Sequence, residues 1–156
     1  MSQDKPKLSI ICGLPGAGKT TLAKKLAEET RAVRLCPDEW MEDLDISLWD
    51  GEFRDKLEKS LWELGQGLLR LGQSVVIEYG SWARSERDEL LQDGRAAGAI
   101  IGLHYLDPPL DEIRRRLTNR GMEGDDIITS KLDEYSSKFE RPDEAELKLY
   151  DSFTKL

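Results

Sequence analysis

Short apolar runs alternate with longer amphipathic stretches along this chain. Leu8, Ile10 and Ile11 form the first run, which reads as a buried strand. A glycine-rich turn follows, then a helix over Thr20–Thr30. There Leu22, Ala23, Leu26 and Ala27 recur at helical spacing, while Lys24, Lys25, Glu28 and Glu29 face water. Ala32–Leu35 reads as a second strand and Met41–Asp50 as a turn region. From Gly51 to Leu71 the apolar positions Phe53, Leu57, Leu61, Leu64, Leu68 and Leu71 step by three or four, predicting a long amphipathic helix. Asp50 is its expected cap and Gly72 its stop. Gly65 and Gly67 each cost about 1 kcal/mol inside a helix, so close packing against a neighbour is expected there. Ser74–Tyr79 is a third strand, its β-branched Val75-Val76-Ile77 suited to burial on both faces. A helix is expected over Ala83–Ala97, or from a capping box at Ser85-Glu-Arg-Asp88. Ala99–Leu106 reads as a fourth strand, and Leu110, Ile113 and Leu117 as the stripe of a helix that stops at Gly121. Met122–Ile128 is a polar loop, with Thr129 or Ser130 capping a helix that carries Leu132, Tyr135 and Phe139. Asp143–Leu156 reads as a final short helix with Leu147, Tyr150 and Phe153 packing back. Strands alternating with helices predict an α/β fold: a mainly parallel sheet of four to five strands with helices on both faces. No convincing fifth strand follows the polar loop.

Composition narrows this picture without redirecting it. The 156 residues suit one domain spanning 1–156. The formal charge of −8 gives no electrostatic support for broad nucleic-acid or anionic-membrane binding. No apolar run is long enough for a membrane span and no signal-peptide pattern opens the chain. Met1–Lys7 reads as a polar lead-in. Cys12 and Cys36 lie on or just after buried strands and are expected to be reduced thiols of a cytoplasmic protein.

The chemistry begins between the first strand and the first helix. Gly13-Leu-Pro-Gly-Ala-Gly-Lys-Thr20 fits G-x-x-x-x-G-K-[ST], the phosphate-binding loop. Glycines let backbone N–H groups approach phosphate oxygens, and the helix start adds its partial positive charge. Gly13, Pro15, Gly16, Ala17, Gly18, Lys19, Thr20 and Thr21 are therefore the expected nucleotide-binding residues. Lys19 would reach the β/γ-phosphates and the Thr20 hydroxyl would hold Mg²⁺. With this loop, the predicted architecture becomes a three-layer P-loop NTPase fold carrying a small lid at about residues 121–130. No Asn-Lys-x-Asp guanine signature is present.

Other candidates follow strand ends, where ligands bind in such sheets. Asp38 is either a general base for an attacking hydroxyl or a helix cap. Glu78, at the end of the third strand, occupies a position that resembles Walker B. It either serves a metal or substrate, or is a buried Glu paired with an arginine. Trp40, Trp49 and Trp62 are expected in or near the core; Trp40 and Trp49, with Tyr79, Trp82 and Arg84, are the candidate acceptor pocket. Arg84 or Arg87 would contact substrate, unless either is a solvated surface charge. Arg116 and Arg120 share one helix face. That face is either solvated or meets the transferring phosphoryl group. His104, inside a strand, is expected to be structural.

Gly13–Thr20, Pro37-Asp38-Glu39-Trp40, Val76-Ile-Glu-Tyr-Gly-Ser-Trp82 and Leu106–Arg120 together resemble the small P-loop kinases called AAA-type predicted kinases. These are related to chloramphenicol phosphotransferase, zeta-toxin-type kinases and polynucleotide kinase domains. The resemblance implies ATP-dependent phosphorylation of a small-molecule hydroxyl with ATP and Mg²⁺. It makes Asp38 the base and Arg116 and Arg120 the transition-state arginines. Glu78 departs from the Asp common in related kinases. The family name does not imply an AAA+ machine, since the chain lacks an Asp-Glu Walker B pair. The alternatives are a nucleic-acid 5′-hydroxyl kinase and a nucleotide switch that binds ATP without transfer.

Overall fold

The computed structural model describes residues 4–122 and 124–156. Its elements are β1 (Lys7–Gly13), α1 (Lys19–Thr30), β2 (Val33–Leu35), α2 (Pro37–Asp43), α3 (Gly51–Arg70) and β3 (Val75–Gly80). They continue as α4 (Arg84–Ala96), β4 (Ile100–Leu106), α5 (Leu110–Arg120), α6 (Asp125–Lys138), α7 (Glu144–Leu147) and β5 (Ser152–Lys155). The five strands form one parallel sheet in the order β2-β3-β1-β4-β5. β1 sits at its centre, and Leu8, Ile10, Ile11 and Cys12 are sealed from solvent. A strand covered on both faces must be apolar on both, which is why this run does not alternate.

The β1–α1–β2 connection crosses the sheet one way; β2–α3–β3 and β3–α4–β4 cross it the other way. Right-handed connections then place α1 on one face and α3 and α4 on the other. The carboxyl ends of β1 and β3 and the segment after β2 meet at one edge, below the start of α1.

Two elements depart from expectation. The segment expected as a final helix instead makes one helical turn at α7 and then a fifth strand. β5 pairs with β4 from Gly102↔Ser152 to Tyr105↔Lys155. Leu147 and Tyr150 are buried as expected, but Phe153 is 51% exposed and does not pack back. Leu147 and Tyr150 create a helical spacing across what is a turn. Second, α6 starts at Asp125, with Gly124 in the left-handed conformation (φ 86°) before it. Much of the expected lid loop is therefore helix, although Glu123 lies outside the described residues. Thr129 and Ser130 sit inside α6, their hydroxyls donating back to the carbonyls of Asp125 and Ile127 (2.8 and 2.7 Å) rather than capping. α4 follows the expected Ala83–Ala97 span, starting at Arg84 with Ala83 before it and no side-chain cap, so the alternative Ser85 capping box is not formed.

α3 matches its pattern, with the Asp50 carboxylate accepting from the Phe53 N–H at 3.0 Å. Gly65 is needed for packing: a β-carbon there would lie 3.2 Å from Leu35. Gly67 faces open space, so the compensation expected there is absent. Trp62 is buried and donates to Asp93 at 3.0 Å, whereas Trp40 and Trp49 are exposed rather than core.

Candidate active site

The phosphate loop is shaped by what surrounds it. A β-carbon on Gly13 would come within 2.9 Å of the Leu106 carbonyl oxygen, and one on Gly16 within 3.0 Å of Ile113. The loop is thus pressed against β4 and α5, and only glycine fits. Gly16 (φ 80°) and Gly18 (φ 100°) are left-handed. No side chain caps α1 after Gly18, so the helix presents bare N–H groups, a ready anion site. Thr21 is exposed on that first turn.

The Lys19 ammonium donates to the carbonyls of Gly13 (2.9 Å) and Leu14 (3.0 Å). Burial lowers its pKa to about 8, opposed by the carboxylates of Asp38 and Glu78. The Thr20 hydroxyl donates to Glu78 at 2.7 Å. Glu78 also accepts from Arg34 Nε at 2.8 Å and from the Cys36 thiol at 3.5 Å. The arginine pairing expected of Glu78 is realised, and the same carboxylate also meets the loop threonine. Two hard oxygens side by side at the loop fit Mg²⁺, which takes few protein ligands and fills its shell with water and phosphate. Among the described residues there is no cluster of three or more His, Cys, Asp or Glu that would cage a metal without them. Burial pushes the Cys36 thiol up to about 11 and the Cys12 thiol to about 12, keeping both protonated.

Asp38 lies in the first turn of α2, but Cys36 occupies the cap position and Pro37 follows it. The capping alternative for Asp38 is thereby removed. Its carboxylate is instead held by Arg54 of α3, whose guanidinium also donates to the Leu48 carbonyl at 2.9 Å. Arg54 is a site residue that pattern reading missed. It occupies a polar position of the α3 stripe, and nothing in its spacing reveals a partner sixteen residues earlier.

A cleft of about 480 Å³ takes in Pro15, Lys19, Asp38, Trp49, Glu78, Tyr79 and Trp82, with α6 contributing Ile128 and Tyr135. Trp82 ties this wall to the phosphate loop by donating to the Gly13 carbonyl at 3.0 Å. Tyr79 donates to the Glu58 carbonyl at 2.9 Å. Two of the expected acceptor residues are not brought in. Trp40 is 44% exposed and does not line the cleft. Arg84 faces Asp88 and Glu146 instead.

The arginines divide by role. Arg87 is wholly buried and so cannot meet substrate as expected. It donates to the Glu146 carboxylate (2.6 and 2.8 Å) and to the carbonyls of Ser81, Trp82 and Glu140. It thereby fixes the turn that carries Trp82. Arg116 reaches the loop itself, donating to the Ala17 carbonyl at 3.2 Å and to Glu112 at 2.9 Å. Arg120, one turn later, is held by Asp125 at the start of α6, with Nε at 2.9 Å. The two share a helix face, but Arg120 points to the base of α6 rather than to the loop. His104 is buried, and burial together with Lys7 lowers its pKa.

A family model described as AAA domain matches residues 8–142. The chain is 28% identical to a guanylate kinase of Oceanobacillus iheyensis, an alignment covering 92% of this chain and 78% of that one. A sugar kinase from Janibacter superposes with TM-score 0.68 at 24% identity, covering 98% of this chain and 85% of that chain. The APS kinase of Mycobacterium tuberculosis, solved with AMPPNP and APS, superposes with TM-score 0.65 at 20% identity, covering 97% and 88%. Chains of the Pnkp1/Rnl/Hen1 RNA repair complex also match, but this chain spans only 40% and 48% of their lengths.

Proposed function

Because the chain belongs to the AAA domain family and has the fold of the P-loop kinases, we propose that it transfers the γ-phosphate of ATP to a hydroxyl of a small molecule. The observation that carries this reading is that Lys19 of the phosphate loop and Asp38 open into one aromatic-walled cleft. Lys19 and the loop amides take the donor phosphates. Asp38, fixed by Arg54, accepts the acceptor's proton as the new O–P bond forms and the bond from Pγ to the leaving ADP oxygen breaks. Thr20, and Glu78 through water, would hold Mg²⁺, which neutralises charge on the β- and γ-phosphate oxygens. Arg116, already on the loop, steadies the transferring group. Arg120 joins it only if α6 moves and releases it from Asp125.

The 28% identity to guanylate kinases favours a second reading, with a nucleotide phosphate as acceptor. A screen of pooled hydroxyl compounds and nucleoside monophosphates with ATP and Mg²⁺, read as a mass gain of one phosphate, separates the two. Products among the hydroxyl compounds uphold the first reading, and products among the monophosphates replace it. ATP binding without any product favours the nucleotide switch.

A further inference from the structure

The end of α3 far from the cleft turns apolar side chains to solvent. Leu64 and Leu71 are 46% and 86% exposed, and Val33 of the edge strand β2 is 38% exposed. Leu71 continues the helix, its N–H donating to the Gly67 carbonyl at 3.2 Å. Val33 lies on the same side of the sheet as Leu35, two residues on, and Leu35 packs against α3 at Gly65. These apolar residues therefore gather at one face instead of scattering singly over the surface. Gly67 sits within that face. A β-carbon there would meet nothing within 4 Å, yet a glycine weakens a helix interior. Leu35 accounts for Gly65, whereas nothing inside the chain accounts for Gly67. A glycine on an exposed helix face leaves its backbone bare, so that a second helix can approach closely.

The charges on this face fit a second copy of the same chain. Glu63 and Arg70 are exposed. Among the described residues neither takes an ion pair or a side-chain hydrogen bond, whereas Lys56 and Glu52 earlier on the helix pair at 3.5 Å. At about 3.6 residues per turn, Glu63 and Arg70 fall on one side of Gly67, and Leu64 and Leu71 on the other. A two-fold axis crossing α3 at Gly67 sets residues equally far before and after it against each other, to within one position. Glu63 then meets Arg70 of the other copy, Leu64 meets Leu71, and each pair forms twice. The formal charge of −8 opposes self-association over most of the surface. From Lys59 to Leu71, however, the charged residues are Lys59, Glu63 and Arg70, so two copies approach here without that repulsion.

We propose that the protein forms a two-fold dimer through α3, the helices antiparallel and crossing at Gly67. Leu64 packs on Leu71 along one seam and Glu63 pairs with Arg70 along the other. The second copy's α3 ends opposite Leu64, so the seam stops short of Arg54, Asp55 and Glu58 at the cleft. The dimer stands independently of the phosphotransfer reading.

The test is analytical ultracentrifugation of the whole protein over roughly 1–300 µM, the range suited to an interface of modest area. The mass should rise with concentration from the 17.7 kDa of one chain to twice that value. Gly67→Gln should weaken the dimer at least about tenfold. The same change should raise the melting temperature of the dilute monomer, because glutamine is the better helix former. That rise separates a blocked surface from a damaged fold. E63R and R70E each set like charges across the seam and should weaken the dimer about tenfold at low salt. The double variant E63R/R70E reverses both pairs and should return to within about threefold of the wild type. A wild type that stays monomeric throughout overturns the proposal, and so does a dimer that G67Q leaves intact. A double variant no tighter than either single one overturns the pairing on which the two-fold geometry rests.

Discussion

The two walls of the cleft are built on opposite terms. On the donor side the loop's charged and hydroxyl side chains are tied down within the chain: Lys19 on two carbonyls, Thr20 on Glu78, Glu78 on Arg34, Arg116 on Ala17. Its backbone is fixed by glycines that nothing larger can replace. On the acceptor side the carboxylates of Asp55, Glu58 and Glu86 have no hydrogen-bond or ion-pair partner among the described residues, and Trp49 is 53% exposed. A wall for a constant ligand can fix its side chains within the chain and leave only backbone N–H groups for the phosphates. The other wall leaves Asp55 and Glu86 exposed to solvent rather than tied to a neighbour.

The sharpest way to break this contrast is to remove the donor wall alone. Lys19→Met should lower transfer by about 10³-fold and weaken ATP binding, while acceptor binding, followed by the fluorescence of Trp49 and Trp82, stays near the wild-type value. Loss of both would join the two walls into one unit. Next in size is Arg87→Met. It strands a buried Glu146 and should destabilise the fold by about 3–5 kcal/mol in denaturant titration. Because Arg87 fixes the Trp82 turn, acceptor KM should rise more than the ATP dissociation constant.

How far the chain announced this arrangement differs between the walls in the same way. The donor wall is a local motif: Gly13 to Thr20 is contiguous, and its neighbours β1 and α1 follow from apolar spacing. The acceptor wall joins residues far apart in sequence. Arg54 meets Asp38, and Tyr79 meets the backbone of Glu58, and no periodicity encodes either contact. Arg87 shows the reverse failure. A charged residue early in a helix reads as surface, yet it is wholly buried because Glu146, on the distant α7, neutralises it. β5 was hidden because Leu147 and Tyr150 mimic helical spacing across a turn, and pairing with the β4 edge decides its conformation.

Smaller effects refine the contrast. Arg116→Ala should cost about 10²-fold in kcat with little change in ATP binding; an equal loss in both would make Arg116 a ground-state contact. Smallest is Glu58→Gln. The folded-state pKa of Glu58 is about 7 against an ordinary 4.5, so the folded protein holds the proton more tightly than the unfolded chain. Its contribution is fully present below pH 4.5 and is lost as pH rises through about 7. Wild-type stability should therefore decline over this window by about 2 kcal/mol more than that of E58Q, allowing for partial solvent access. Parallel pH profiles for the two proteins would mean that Glu58 is not strained in the folded protein.

The measurement that bears most directly on the account is single-turnover phosphoryl transfer by Asp38→Asn on the acceptor found in the screen, alongside its ATP dissociation constant. Asp38 joins the walls: it faces the donor lysine and is braced from the acceptor side by Arg54. Transfer should fall by about 10²–10⁴-fold with ATP affinity nearly unchanged. A variant that keeps wild-type turnover would contradict the assignment of this cleft as the place where the hydroxyl is activated.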